Sequence, residues 1–241
     1  MAKNAFGAKL LLYASAQFVV LSFAAMKVFP GGAIYDPGAR QYLFLQNFFS
    51  DLGETLNPRG QSNLLSMVLF VVALLPVGIS LVVSASTWRR VIVRRNRTRI
   101  LGHAAQIFAG LSGICYAGIA VTPFNLVLDT HMMFVQGAFT LLLAFVVCLT
   151  AMQVQNRWAV RYIVSNAAYI VILTAYVFVL FRGPNLMTLH GLMFQVIAQK
   201  IIVYVSIFNL AYQCVGVLAA ENAQLQPDLS AAQDQNFDRN S

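Results

Sequence analysis

The chain has 241 residues, of which 59% are apolar and only 10% charged, with a mean hydropathy of +0.70. Soluble domains carry about 25% charged residues, so this composition excludes a soluble globular protein. The net charge of +8 does not point to nucleic acid, because the basic residues fall between apolar runs rather than on an aromatic-interleaved soluble face.

A membrane span needs about 20 mainly apolar residues. Leu10–Val28, Leu64–Val83, Leu101–Val121, Met132–Ala151, Tyr162–Phe181 and Gly191–Val215 qualify. In lipid the backbone must satisfy its own hydrogen bonds, and the runs lack the short alternation of barrel strands, so they are predicted to be helices. The expected fold is all-α, a polytopic membrane protein built as a six-helix bundle. It occupies residues 1–216, followed by a disordered cytoplasmic tail at 217–241. Lys3 and Lys9 precede Ala14-Ser15-Ala16 as in a signal peptide, but the apolar run continues well beyond that site. A retained first span is therefore expected.

The connection Phe29–Asn63 opens on Pro30-Gly31-Gly32, a turn signal. Its Gln41–Phe49 stretch is too short to span and too apolar for a free loop. It is expected to lie along the interface or to pack over the bundle mouth. Between the second and third spans comes an arginine run, Arg89-Arg90-Val91-Ile92-Val93-Arg94-Arg95-Asn96-Arg97-Thr98-Arg99. With Lys3, Lys9, Arg157, Arg161 and Arg239 it outweighs Lys27, Arg40, Arg59 and Arg182 on the other side. That asymmetry predicts both termini in the cytoplasm of a plasma-membrane protein, with Phe29–Asn63 outside.

The third span carries Gly102, Ala105, Ala109, Gly113 and Ala117 at helical spacing, which lets a neighbour approach closely. Asp129 or Thr130 is placed to cap the fourth helix, and Asn185 or Thr188 the sixth. Cys115, Cys148 and Cys214 fall inside spans without ligand spacing and are read as packed thiols. No internal repeat of the kind common in transporters is evident.

Ahead of the tail every acidic residue, Asp36, Asp51, Glu54 and Asp129, lies at the outer level, and so do His131 and His190. His103 belongs to the other end of the third helix, about 27 Å away at about 1.5 Å per residue. The three histidines therefore cannot share a metal, and neither a metal nor a cofactor is expected. Ser50-Asp51 reads either as a nucleophile and its partner, with His131 or His190 as base, or as a turn cap. Lys200 is the one charge deep in a span and a functional candidate for that reason. Gln195, Gln199 and Gln136 are its expected partners, with Gln106 extending the polar interior downward.

Ser50-Asp51-Leu52-Gly53 followed by Asn63, and Gly113-Ile114-Cys115-Tyr116-Ala117-Gly118-Ile119-Ala120-Val121-Thr122-Pro123 followed by His131, resemble a prokaryotic six-helix membrane family known as domain of unknown function 998. The Ser-Asp-x-Gly turn is also distantly similar to the damage-regulated autophagy modulators and the FGF-receptor-activating protein, whose members are tied to lipid or GPI-anchor handling. The resemblance implies a shared fold and an outer polar cluster at Ser50, Asp51, Asn63 and His131, but no activity. A likeness to the ceramidase and progestin-receptor-like hydrolases fails on the histidine positions.

The first expectation is a membrane protein that binds lipid or a small amphiphile in an outward-facing polar pocket. Asp51, Glu54, Asn63, His131, His190, Gln136 and Lys200 are its candidate ligands. Membrane lipids are the expected partners, and nucleic acid is not. The second is an intramembrane hydrolase of a lipid ester or amide, with Ser50, Asp51, His131 and His190 as catalytic candidates. The third is a small transporter. Asp51 and His131 are expected to share a hydrogen bond or one water, and Lys200 to border a cavity continuous with them.

Overall fold

The computed structural model describes residues 5–92 and 99–239, with side chains described as far as Ala223. The centre of the arginine run, 93–98, and residues 1–4 and 240–241 lie outside the described residues. Six helices follow in order: α1 (Phe6–Val28), α2 (Leu64–Ile92), α3 (Arg99–Val121), α4 (Leu128–Gln155), α5 (Val160–Arg182) and α6 (Leu189–Arg239). All six are long and apolar enough to cross a membrane. The protein is an all-α, multi-pass membrane protein.

The helices outrun the apolar windows because a helix does not stop where hydrocarbon stops. α2 continues through Trp88, fully buried against Phe145 of α4, to Ile92. α6 passes residue 216, and Glu221 on it accepts a hydrogen bond from the Ala5 amide at 3.0 Å. The expected side-chain cap of α4 is absent. That helix begins at Leu128 after Val127, and Asp129 sits within its first turn. At α6 the Thr188 hydroxyl accepts from the Gly191 amide at 3.1 Å, as a cap should.

Each helix packs on the next, and α6 returns to α1, closing a ring. The tightest crossing joins α2 to α3. A Cβ on Gly78 would lie 2.6 Å from the Gly113 carbonyl oxygen, and one on Gly113 would lie 2.6 Å from that of Gly78. The two glycines let the backbones touch, as the small-residue stripe of α3 implied. α5 is the loosest member: 22% of its apolar window is buried, against 39–50% for the other five.

A buried amide chain ties α4, α5 and α6 together at the arginine end. Asn209 donates to Asn166 (2.9 Å), Asn166 to Gln153 (3.0 Å), Gln153 to Gln213 (2.7 Å) and Gln213 to the Tyr162 carbonyl (3.0 Å). Ser165 closes the chain by donating to the Asn209 oxygen at 2.7 Å. In hydrocarbon such polar groups act as interhelical glue only when satisfied.

At the opposite end, residues 29–63 fold into a cap over the bundle mouth. Gly31 (φ 94°) and Gly32 (φ 89°) take left-handed conformations, and a Cβ on Gly31 would lie 2.3 Å from the Ala39 carbonyl oxygen. Only glycine fits that turn. The Gln41–Phe49 stretch forms turns rather than a helix. It buries Tyr42, Asn47 and Phe49 while leaving Phe44 and Leu45 exposed.

Candidate functional site

Three asparagines shape the cap, and through it the site. Asn57 holds the 57–61 turn by accepting from the amides of Arg59 (3.1 Å) and Gln61 (2.8 Å), while its own amide reaches the Gly31 carbonyl at 2.8 Å. Asn63 donates to the carbonyls of Asp51, Leu52 and Glu54 at 3.0–3.3 Å and so clamps the 3-10 turn Ser50–Gly53. Gly53 rests on the Phe70 ring, where a Cβ would come within 2.8 Å. These contacts present Ser50, Asp51 and Glu54 to the bundle mouth.

Asn47 is the hub behind the turn and is wholly buried. Its amide donates to Asp51 Oδ2 (2.8 Å) and to the Gly32 carbonyl (3.0 Å), and its side-chain oxygen accepts from the Leu43 amide (2.9 Å). Its own carbonyl accepts from Tyr42 at 2.9 Å and from the ammonium of Lys200. The Lys200 nitrogen also lies 5.3 Å from the Tyr42 ring centre, 4.9 Å from that of Phe44 and 5.5 Å from that of Phe49. An ammonium can be held in low dielectric by a carbonyl and ring faces. The expected glutamine partners are therefore replaced. Gln199 accepts from the Phe49 amide at 2.8 Å, Gln195 donates to the Pro184 carbonyl at 2.6 Å, and Gln136 is half-buried on α4.

Two adjoining cavities open beneath the turn. The upper, of about 310 Å³, is bordered by Ser50, Asp51, Glu54, His131 and Gln199, with Tyr176 and Val179 of α5 on its far wall. The lower is a slot of about 70 Å³ that runs down the bundle axis between Phe18, Leu74, Phe139 and Leu210. Ser50, His131, Val135 and Gln199 line both. Lys200 faces the interior but borders neither cavity, contrary to the expectation for it. The cap backbone at 47–49 lies over its nitrogen.

Asp51 and His131 line the same upper cavity. His131 is buried, and its Nδ1 lies 2.6 Å from the Thr122 carbonyl, so that nitrogen carries the proton. In the neutral ring Nε2 is then an acceptor. His190 is exposed and borders neither cavity. His103 lies at the arginine end, where its ring meets Arg89 at 2.8 Å and the Arg99 carbonyl at 2.7 Å. Among the described residues no three His, Cys, Asp or Glu side chains gather as a metal site would require.

Burial governs the acidity of the two carboxyls. It pushes Asp51 up to about 6, against the Asn47 amide and the Lys200 charge, which pull it down. It pushes Glu54 up to about 8, and the neighbouring Asp51 charge adds to the rise. Glu54 Oε2 is buried with no hydrogen-bond partner.

Of the residues singled out from the sequence, Ser50, Asp51, Glu54 and His131 line the upper cavity together, and Gln199, expected beside Lys200, lines it too. Sequence reasoning missed Asn47 and the amide chain. For the chain the signal was available, since Asn209 and Gln213 share a face of α6, as do the small and polar residues of α5 near Asn166. Compared with known protein families, with curated proteins and with solved structures, the chain matches none.

Proposed function

We propose that this membrane protein binds a lipid or a small amphiphile, its polar head beside Asp51, Glu54 and His131 and its chain in the axial slot. The observation that carries the reading is the shared lining of Ser50, His131, Val135 and Gln199, which joins a polar chamber to an apolar one. Ligand sites are typically concave and apolar with a few convergent polar groups, and an amphiphile has that profile. The positive-inside asymmetry supports a pocket facing outward from a plasma membrane, with both termini cytoplasmic. Kinship with the domain-of-unknown-function-998 group is part of the same proposal and rests on the Ser50–Gly53 and Gly113–Pro123 motifs.

The test is native mass spectrometry of purified protein titrated with single-chain amphiphiles, alongside a Val135→Trp variant that fills the junction of the two cavities. The expected result is one saturable adduct per chain, lost in the variant. Adducts that never saturate, or that survive the substitution unchanged, refute the reading. Hydrolysis is the second reading, supported by Ser50 and His131 lining one cavity, though without His190. Release of a free acid or amine from an ester or amide amphiphile, abolished by Ser50→Ala, would favour it.

A further inference from the structure

The ionisable inventory of the upper cavity is one-sided, its other donors being the neutral hydroxyls of Ser50 and Tyr176 and the amides of Gln195 and Gln199. Asp51 and Glu54 offer carboxyl oxygens, Glu54 Oε2 has no partner, and His131 Nε2 is an acceptor because Nδ1 is committed to the Thr122 carbonyl. Neither lysine nor arginine borders this cavity among the described residues. α1, α2 and α3 bring no group to its lining; α4 brings His131, α5 brings Tyr176, and α6 brings the uncharged amides Gln195 and Gln199. The buried cation behind the turn, Lys200, is spent elsewhere, on the Asn47 carbonyl and three ring faces.

Charge counting sharpens the picture. Through Asn47, Asp51 already answers to Lys200, whose charge pulls its acidity toward the ionised form. Glu54 has no such counterpart. It is 6% exposed and faces a chamber large enough for a head group. A phosphate or carboxylate head would meet two acids and no cation, which amounts to selection against anions. An alcohol would give one donor but leave Glu54 uncompensated when ionised. An ammonium gives three donors and one positive charge.

We infer, resting on the amphiphile reading, that the head group selected here is a protonated amine: a single-chain ammonium amphiphile whose charge is answered by Glu54. The slot below, at about 70 Å³, is less than half the roughly 150 Å³ that takes up a benzene, so it has room for a short apolar segment of one chain and none for a second. Burial holds Glu54 near 8 when the cavity is unliganded, so binding the ammonium is coupled to loss of its proton. Alkylammonium ions resemble the lysine side chain, whose pKa is about 10.4, and stay charged up to about pH 9. Between pH 7 and 9 the ionised fraction of Glu54 rises about tenfold, and amine affinity rises with it.

The experiment is native mass spectrometry, with thermal shift as a second readout, on the full chain with dodecylamine, dodecanol and dodecyl phosphate at pH 7 and pH 9. Support requires dodecylamine to bind at least about tenfold tighter than dodecanol at pH 9, and to tighten from pH 7 to 9. Glu54→Gln should remove that preference, bringing dodecylamine and dodecanol to the same affinity at pH 9. The wild-type pH dependence tests the same point without any variant. Equal binding of amine and alcohol, or tighter binding of the phosphate, overturns the inference and leaves the amphiphile reading standing. If none of the three forms a saturable adduct, both fall.

Discussion

Glu54→Gln should remove the pH dependence of stability in a narrow window. The wild-type carboxyl ionises at about 8 in the folded protein against an ordinary value of 4.5. A folded-state value above the unfolded one means that the native state holds its proton longer. Its contribution is therefore fully present below about pH 4.5, declines as pH rises, and is gone above about 8. At about 1.4 kcal/mol per pH unit the difference corresponds to about 5 kcal/mol. Part of it arises from the Asp51 charge, so about 3–5 kcal/mol should be specific to Glu54. For a chain of this size that is of the order of 10 °C in Tm. Asp51 moves in the same direction but only as far as about 6, so its effect is exhausted before that of Glu54. Thermal unfolding in a non-ionic detergent should then show both proteins losing stability up to about pH 6. From 6 to 8 only the wild type should continue to fall. Parallel curves across that interval would show that water reaches Glu54 freely and that its burial costs nothing.

Lys200→Met removes the charge that steadies Asp51, so the loss in Tm should be larger at about pH 6.5, where Asp51 is mostly ionised, than at pH 5, where it is mostly protonated; an equal loss at both would reduce Lys200 to a packing role. Asn166→Ala leaves Gln153 and Asn209 each short of a buried partner and should lower stability by about 1–3 kcal/mol, measured as urea or thermal unfolding in detergent. Gly78→Ala forces its Cβ to within 2.6 Å of α3 backbone and should separate α2 from α3, read as a fall in Tm and in folded yield; an unchanged Tm would refute the close crossing. A cysteine in place of Asn96 should resist an impermeant thiol reagent applied from outside intact cells, and labelling there would invert the proposed topology.

The six spans were legible because lipid imposes a single rule on every backbone group, and that rule appears as apolar length. The polar end of the bundle was legible for a related reason: carboxylates are kept out of the apolar windows, so Asp51 and Glu54 had to gather at one level, with His131 just ahead of the fourth window. What could not be read was pairing across the fold. Asn47 looks like any loop asparagine, yet the turns around it place its amide on Asp51 and its carbonyl under Lys200. The glutamines of α6 seemed natural company for Lys200 because they share its helix, but Gln199 turns to the Phe49 amide and Gln195 to Pro184. His190 opens α6 as His131 nearly opens α4, and sequence treats the two alike. Only the closure of the ring decides that one faces the cavity and the other the surface.

The same closure explains why a buried lysine belongs in this fold. Gln199 and Lys200 are consecutive on α6, and each grips one backbone group of the cap, the Phe49 amide and the Asn47 carbonyl. Together they fix the height at which the Ser50–Gly53 turn hangs over the cavities. Moving that turn would detach Asp51 from Asn47 and expose the junction where Ser50, His131 and Val135 meet. The lysine thus acts on the cavity without touching it, through a backbone carbonyl and one asparagine. Its charge offsets Asp51, and Glu54 is left as the acid without a counterpart. That remaining imbalance is the physical ground for the proposal that the chamber takes a positively charged head group.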